Sequence, residues 1–382
     1  MKKKKRVVVL FGGRSGEHEV SLYSAATVIE ALDREKYEVI PVAINRDGRW
    51  LAGVTPAQLA TGHNPLNLPI TNTGDGPKNV ILPPDPTRRG LAVIGAEGVS
   101  NEINTVDVVI PVLHGTYGED GTVQGLLELA NVPYVGAGVL GSALGMDKVL
   151  MKTVFAQHGI PIARFWSCLR RDWEKNPEWV IANIEASLGY PCFVKPANLG
   201  SSVGISKARN RDELAKALSL AAKYDRKLIV EECVHGREVE VSVLGNDDPI
   251  ASLPGEIIPA KEFYDYEAKY LDGLTQLIIP ADLPSDTVIR LQELAVKVFK
   301  AIDCAGMARV DFFIRQPDGE ILVNEINTIP GFTKYSMYPK LWEVSGISYR
   351  ELLDRLIELA IERHRDKNLS QTTYTQTQGD GV

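Results

Sequence analysis

The chain reads Gly306-Met-Ala-Arg-Val-Asp-Phe-Phe-Ile-Arg315 near its C-terminal end, continues through Gln316-Pro-Asp-Gly-Glu320, and then reads Ile321-Leu-Val-Asn-Glu-Ile-Asn327. Two runs rich in β-forming residues around a Pro-Asp-Gly turn predict an antiparallel hairpin. If the pairing is symmetric about Asp318, Asp311 lies opposite Glu325 and Arg309 lies opposite Asn327. Strand alternation then places these four side chains on one face of the hairpin.

The residues on this face of the hairpin predict a bound cation. The oxygens of Asp311, Glu325 and Asn327 repel one another at close range unless a positive charge lies between them. They match the ligands of Mg²⁺, a hard cation that usually shares its oxygen donors with substrate phosphates. The alternative is an ordinary antiparallel hairpin whose polar residues face water.

Length and composition exclude several classes of protein. A chain of 382 residues predicts two or three domains, and its 44% apolar and 24% charged residues are typical of a soluble globular protein. The net charge of −7 argues against nucleic acid as a partner. No apolar run approaches the roughly 20 residues that span a bilayer, so we expect no membrane partner.

The four cysteines are Cys168, Cys192, Cys233 and Cys304. They are far apart and form no Cys-x-x-Cys pair suited to zinc or redox chemistry. The simplest interpretation is four reduced thiols in a cytoplasmic protein.

Two glycine-rich loops follow predicted strands in the first third of the chain. The strand Arg6 to Phe11 leads through Gly12-Gly-Arg-Ser-Gly16 into a helix that starts near Ser15. The glycines do not spell G-x-G-x-x-G, so no nicotinamide or flavin is assigned. Glu17, in the first turn of the helix, is either a functional residue or a complement to the helix dipole.

The second loop, His114 to Gly121, follows the continuous apolar run Val106 to Leu113 and precedes a helix from Val123 to Ala130. Such a run is typical of a strand buried on both faces of a parallel sheet. Two loops at the carboxyl ends of parallel strands should lie side by side and form a pocket. His114 either serves that pocket or merely caps the turn.

A different kind of loop surrounds Lys195, in the stretch Tyr190 to Ser206. A strand carries the lysine into a run of small residues that includes Ser201 and Ser202, and a second strand leaves it. Serine hydroxyls and loop amides can donate hydrogen bonds to phosphate oxygens. Because a strand follows rather than a helix, we predict a flap that covers phosphates and not a Walker A loop.

The second half of the chain contains further predicted elements. Lys227 to Glu231 is a strand, and Arg237 to Leu244 is expected to pair with it as a hairpin. Glu231 and Glu232 form either a solvated pair or a backbone edge for adenine. The segment Pro259 to Ile279 lacks periodicity and suits a lid that closes over a ligand.

Three other segments have simpler patterns. No fold was predicted for the proline- and glycine-rich segment Leu51 to Gly98. Thr287 to Ala301 and Tyr349 to Arg363 are predicted amphipathic helices, and the polar tail from Asp366 is predicted to be disordered.

Six motifs together resemble the ATP-grasp ligases and, within them, the D-alanine:D-alanine ligase family, over about Val7 to Glu362. They lie at Gly12 to Leu22, His114 to Gly121, Met146 to Lys148, Val194 to Gly204, Phe263 to Tyr270 and Arg309 to Phe332. The resemblance implies an α/β fold of three ATP-grasp subdomains with a parallel-sheet N-terminal domain. The predicted boundaries are 1–136 for the N-terminal domain, 137–230 for the central subdomain, 231–365 for the C-terminal subdomain and 366–382 for the tail.

The resemblance also implies roles for individual residues. On the nucleotide side, Lys148, Lys195, Ser201 and Ser202 would contact phosphates, Glu231 adenine and Glu238 the ribose. Asp311, Glu325 and Asn327 match Mg²⁺ ligands, with two ions bound beside ATP and Mn²⁺ as a possible substitute. On the amino-acid side, Glu17 and His114 would hold the first D-alanine, Ser336 and Met337 would lie near the second, and Arg309 would stabilise anionic intermediates. The catalytic group implied by the resemblance comprises Glu17, His114, Ser201, Lys269, Tyr270 and Arg309.

The implied reaction joins two D-alanines through a D-alanyl phosphate, releases ADP and phosphate, and supplies peptidoglycan synthesis in the cytoplasm, with a homodimer as the expected assembly. Two alternatives remain open, a ligase that joins D-alanine to D-lactate and an ATP-grasp protein that binds nucleotide without catalysis. The hydroxyl of Tyr270, linked to Ser201 and Glu17, favours D-alanine as second substrate, and Tyr270→Phe is expected to shift preference toward D-lactate.

Overall fold

The computed structural model describes residues 3–53, 78–88, 90–95, 98–258 and 276–372. The N-terminal stretch contains β1 (Lys5–Gly12), α1 (His18–Ala31), β2 (Tyr37–Ile44), β3 (Trp50–Ala52), β4 (Lys78–Ile81), β5 (Gly90–Gly95), β6 (Gly98–Thr105), β7 (Val108–Val112) and α2 (Thr122–Leu129). The middle stretch contains α3 (Val139–Met146), α4 (Lys148–Gln157), β8 (Phe165–Leu169), α5 (Arg170–Lys175), α6 (Pro177–Ser187), β9 (Cys192–Pro196), β10 (Ser206–Ala208), α7 (Arg211–Tyr224) and β11 (Lys227–Glu232). The C-terminal stretch contains β12 (Gly236–Gly245), β13 (Ile250–Ala251), β14 (Gly255–Ile258), β15 (Gln276–Ile278), α8 (Ser285–Ala301), β16 (Gly306–Arg315), β17 (Ile321–Asn327), α9 (Met337–Val344) and α10 (Tyr349–Lys367).

The first sheet has the strand order β6-β5-β4-β3-β2-β1-β7. Its parallel part consists of β1 between β2 and β7, as predicted. Strands β3 to β6 add to it antiparallel, in a region where the sequence pattern predicted no elements. Because β1 and β7 are parallel neighbours, their two glycine loops meet, and the Ser15 hydroxyl donates to the His114 carbonyl at 2.6 Å.

The second and third sheets correct one prediction. The second sheet has the order β10-β9-β11-β8, and the third has the order β15-β14-β12-β16-β17 with β13 on β12. The predicted hairpin between β11 and β12 is therefore wrong, since the two strands lie in different sheets. Both edges of β11 are already paired, with β8 and β9, so the short connection must cross to the next sheet.

The hairpin of β16 with β17, predicted to hold a cation, has the predicted register at its polar end. Arg309 pairs with Asn327 and Asp311 with Glu325. A register shift follows Asp311, after which Phe312 pairs with Val323 instead of with residue 324. This β-bulge adds one residue to β17 and leaves the predicted symmetry valid only at the end that carries the polar side chains.

Helices cover the sheets and bury their apolar faces. Helix α10 packs on the first sheet, where Leu353 and Leu356 join Val9 and Phe11 in one buried cluster. Helices α6 and α7 cover the second sheet, and α4 and α8 cover the third. Helix α10 reaches Lys367, two residues into the segment predicted to be a tail, and residues 373–382 lie outside the described part of the chain.

Two further observations concern sequence predictions. All four cysteines are free thiols. Within the described ranges, no helix is both long enough and apolar enough to cross a membrane.

Helix α4 begins with Lys148 and is held in place by its N-cap. The Asp147 carboxylate accepts hydrogen bonds from Val149 N and Leu150 N, both at 3.1 Å, and pairs with Lys227. Asp147→Ala removes both interactions and is expected to lower the free energy of unfolding by about 1–2 kcal/mol. Asp147→Asn keeps the cap and should lose less, which urea denaturation of both variants measures. Equal losses would show that the ion pair, and not the cap, stabilises the helix start.

Candidate active site

A large cavity lies where the three sheets meet, lined by described residues. It has a volume of about 1760 Å³ and is lined from all three sheets. The fourteen predicted site residues that the structure describes all line it, namely Glu17, His114, Lys148, Lys195, Ser201, Ser202, Glu231, Glu238, Arg309, Asp311, Glu325, Asn327, Ser336 and Met337. Lys269, Tyr270 and the rest of the predicted lid at 263–270 lie outside the described residues.

The hairpin face is organised around Arg309. Its guanidinium donates to both oxygens of Asp311, at 2.7 and 2.8 Å, and lies 3.0 Å from Glu240. Burial alone would lower the pKa of Arg309, but the charges of Asp311 and Glu240 hold it well above its usual value. Asn327 Nδ2 donates to Asp311 at 3.1 Å. Arg309 is therefore a permanent cation beside the predicted metal ligands.

The donor set fits Mg²⁺ in its chemistry. Asp311 and Glu325 supply two carboxylates from paired positions, and both are balanced by cations, Glu325 by Lys148 at 3.3 Å. The amide nitrogen of Asn327 faces Asp311. A half-turn of the amide group would present its oxygen to a cation instead. Among the described residues no three His, Cys, Asp or Glu side chains are grouped to hold a metal, so phosphate or water oxygens must complete the coordination.

A buried charge cluster surrounds Glu231 in the cavity wall. Lys195 Nζ donates to Glu231 at 2.6 Å, and Lys152 Nζ lies 3.2 Å from the other carboxylate oxygen. Burial by itself raises the pKa of Glu231, but the two lysines outweigh it and lower the pKa to about 2. Nothing in the sequence analysis singled out Lys152. Its position one helical turn after Lys148 is the signal that was available.

Glu17 connects the first loop to the flap. The Ser201 hydroxyl donates to the Glu17 carboxylate, so two members of the predicted trio are in contact. Glycines on both sides make this approach possible. A Cβ on Gly200 would lie 2.8 Å, and one on Gly115 2.5 Å, from a Glu17 oxygen. These short distances exclude any larger residue without movement of Glu17.

His114 is buried and bonded at both ring nitrogens. Its Nδ1 lies 3.1 Å from the Ile329 carbonyl, which can only accept, so Nδ1 carries the proton. Its Nε2 lies 3.0 Å from the Ser24 hydroxyl. Burial lowers the pKa of His114 more than the charge of Glu17 raises it, so a neutral ring fits the site.

Ser336 and Met337 lie at the start of α9, at another part of the cavity wall. The Ser336 hydroxyl accepts from Thr333 N at 3.0 Å, which orders the turn that precedes the helix. Met337 is buried against Leu341 and Ile257. A small polar group and an apolar wall are thus adjacent there.

Glu119, inside the second glycine loop, is a cavity residue to which the sequence analysis assigned no role. It accepts from Gly115 N at 2.6 Å and from Ile329 N at 3.3 Å. Burial and the neighbouring charge of Glu17 raise its pKa to about 8. Glu119 is therefore mostly protonated at neutral pH.

Glu119 makes the stability of the protein depend on pH. Its pKa is raised in the fold above the ordinary 4.5, so its contribution is fully present below that value and is lost as pH rises through about 8. Glu119→Gln mimics the protonated form. Thermal unfolding is measured from about pH 5 to about pH 9. The midpoint temperature of Glu119→Gln should rise relative to that of the wild type as pH increases, whereas that of the exposed control Glu38→Gln should not. Parallel curves for Glu119→Gln and the wild type would contradict the assignment.

Two family models match nearly the whole chain. One described as D-ala D-ala ligase N-terminus matches residues 6–137, and one described as D-ala D-ala ligase C-terminus matches residues 154–358. The chain belongs to the D-alanine:D-alanine ligase family. Its mixed α/β architecture is accordingly that of an ATP-grasp enzyme, as the motifs predicted.

Individual relatives agree with this assignment. The D-alanine–D-alanine ligase of Natranaerobius thermophilus is 50% identical over 98% of this chain and 100% of its own length. That of Geobacillus thermodenitrificans is 52% identical over 97% of this chain and 99% of its own. High identity over full length means that the relatives share every domain with this chain.

Two solved structures are similar to the fold. The D-alanine-D-alanine ligase from Coxiella burnetii has a TM-score of 0.80 and 39% identity, with 96% of each chain covered. The VanG D-Ala:D-Ser ligase from Enterococcus faecalis has a TM-score of 0.82 and 38% identity, with 94% of this chain and 100% of that chain covered. The fold is thus shared by proteins named for different second substrates.

Proposed function

We propose that the protein uses ATP to join two molecules of D-alanine into D-alanyl-D-alanine, with release of ADP and phosphate, for peptidoglycan precursor synthesis. The observation that carries this proposal is that one cavity gathers three kinds of group. They are two lysines suited to bind phosphate, Lys148 and Lys195, the carboxylate pair Asp311 and Glu325, and a separate carboxylate, Glu17, suited to bind an ammonium group. The 50% identity to a D-alanine–D-alanine ligase supports the same substrates.

On the nucleotide side, Lys148 and Lys195 bind the phosphates, with Ser201 and Ser202 in the flap above them. Glu231 lies toward adenine and Glu238 toward the ribose. Asp311, Glu325 and Asn327 would hold Mg²⁺, or Mn²⁺ in its place, and the family resemblance implies two ions with ATP. When bound, the metal neutralises charge on the transferring phosphoryl group.

On the amino-acid side, Glu17 pairs with the ammonium of the first D-alanine and His114 lies beside its carboxylate. That carboxylate attacks the γ-phosphorus, ADP leaves, and an acyl phosphate forms. The uncharged amine of the second D-alanine, held near Ser336 and Met337, then attacks the acyl carbon and phosphate leaves. Arg309 stabilises the anions in both steps because its charge does not titrate.

The acyl phosphate must be protected from water, and the resemblance assigns this task to the segment at 263–270 with Lys269 and Tyr270. We propose that the protein acts in the cytoplasm, which its four free thiols support, and as a homodimer, which the resemblance supports.

One competition experiment tests the substrate assignment. Purified protein is given ATP, Mg²⁺ and D-alanine, with D-alanine, D-serine and D-lactate competing as second substrate, and products are separated by mass. D-alanyl-D-alanine is expected as the main product at neutral pH. D-serine is included because a protein named as a D-Ala:D-Ser ligase shares the fold. A main product of D-alanyl-D-serine or of the D-lactate ester would refute the second substrate, and absence of phosphate release would refute catalysis.

A further inference from the structure

Lys152 is the most deeply buried charge in the described part of the site. Its side chain is 1% exposed, compared with 5% for Glu231 and 12% for Lys195. Lys195 and Glu231 belong to the cavity wall formed by the described residues, and Lys152 does not. Lys152 is therefore set back from the wall that a ligand would touch, and its ion-pair partner on that wall is Glu231.

The charges of this cluster explain why a second lysine is needed. Lys195 with Glu231 alone forms a neutral pair, because the carboxylate accepts from Lys195 at 2.6 Å. A neutral pair has little attraction for a polyphosphate. Lys152, 3.2 Å from the other oxygen of Glu231, brings the cluster to a net charge of +1. The excess charge is expressed at Lys195, the lysine of the cluster that lines the cavity.

We propose that Lys152 is a positioning residue that neutralises Glu231, and so leaves the charge of Lys195 available to the phosphates of ATP. This inference rests on the proposed function, because it assumes that Lys195 faces a nucleotide. In this proposal Lys152 contacts no substrate, and its charge determines the net charge that Lys195 presents to the nucleotide.

Two features of the fold support this assignment. Helix α4 presents Lys148 and Lys152 one turn apart, and thus on one face. Lys148 pairs with Glu325 at 3.3 Å, just as Lys152 pairs with Glu231. The helix therefore supplies one lysine to each of two carboxylates in the site. Burial lowers the pKa of Lys152 below its usual value, and the neighbouring charge of Lys195 adds to this. The carboxylate of Glu231, 3.2 Å away, opposes the shift and favours the charged form.

The test measures the preference for ATP over adenosine by calorimetric titration without D-alanine. Adenosine shares the base and ribose with ATP. The dissociation constant of adenosine divided by that of ATP therefore measures how much the phosphates contribute to binding. Lys152→Met, which leaves the Glu231–Lys195 pair neutral, should reduce this ratio about tenfold. Lys152→Arg retains the charge and should keep the ratio within about threefold of wild type.

The double variant Lys152→Met/Glu231→Gln separates charge from structure. It leaves Lys195 alone, again at a net charge of +1, and should recover the wild-type ratio within about threefold. A purely structural role for Lys152 predicts instead that the double variant is no better than the single one, and that result would overturn the inference. If Lys152→Met does not fold, a double variant whose ratio stays about tenfold below the wild-type value would overturn the inference in the same way. The proposed function fails on a separate measurement, the absence of D-alanyl-D-alanine from wild-type reactions.

Discussion

Glu325→Gln and Asp311→Asn are each expected to reduce kcat at least about a thousandfold, because loss of a metal ligand removes several kcal/mol of charge stabilisation from the phosphoryl transfer. The two residues are directly paired on the hairpin and face the same cavity. Asn327→Ala should have a similar effect. Steady-state phosphate release with ATP, Mg²⁺ and D-alanine measures all three.

Glu325→Gln is the cleanest of these variants. Glu325 is 22% exposed and paired with Lys148, so glutamine should leave the fold intact. Asp311→Asn also weakens the partly buried ion pair with Arg309, so its thermal midpoint must be compared with that of the wild type. The matched control is Glu320→Gln, an exposed carboxylate at the turn of the same hairpin, whose surface ion pair is worth about 0–1 kcal/mol. Near wild-type turnover in all three ligand variants would remove the hairpin from the active site.

Glu17→Gln should lower kcat/KM for the first D-alanine by about a hundredfold or more, because an amide cannot pair with an ammonium as a carboxylate does. The affinity for ATP should change little, since the nucleotide side of the cavity is formed by other elements. Initial rates at varied D-alanine, together with calorimetric titration of ATP, separate the two effects.

Ser201→Ala serves as a companion to Glu17→Gln. It removes the hydroxyl that donates to Glu17 and keeps the carboxylate, so its loss should be smaller. Glu38→Gln, which breaks an exposed ion pair with Arg6, controls for loss of a carboxylate elsewhere in the N-terminal stretch. A Glu17→Gln enzyme that loses ATP affinity and D-alanine affinity equally would mean that Glu17 supports the shape of the cavity and not the substrate.

Much of the candidate site could be predicted from the sequence, because the features concerned depend on residues that are close together in the chain. The hairpin register of Asp311 with Glu325 follows from a turn only a few residues away. The pairing of the two glycine loops follows from the rule that parallel strands share a carboxyl edge, which β1 and β7 obey. The six motifs supplied the family, and every described residue that they nominated lies on one cavity.

The same local rules were wrong where a competing partner decided the outcome. A short connection predicted a hairpin of β11 with β12, but β8 and β9 occupy both edges of β11. Strand symmetry predicted that Phe312 pairs with residue 324, but a bulge moved the pairing to Val323. The segment Leu51 to Gly98 lacked a pattern because its strands are short and extend the edge of a sheet that other strands define.

By itself, then, the sequence determined the family, the polar end of the β16–β17 hairpin and the glycine loops at the cavity, since each is encoded in contiguous residues. Only the tertiary structure decided which charges meet. Lys152 and Glu231 are separated by 79 positions in the chain, and they meet because the fold brings helix α4 beside the C-terminal end of β11. Burial acts in the same way on Glu119, whose raised pKa arises from the walls of the cavity and from Glu17, contributed by a different loop. Electrostatic environment depends on what surrounds a side chain in space, and no pattern of neighbours along the chain contains that information.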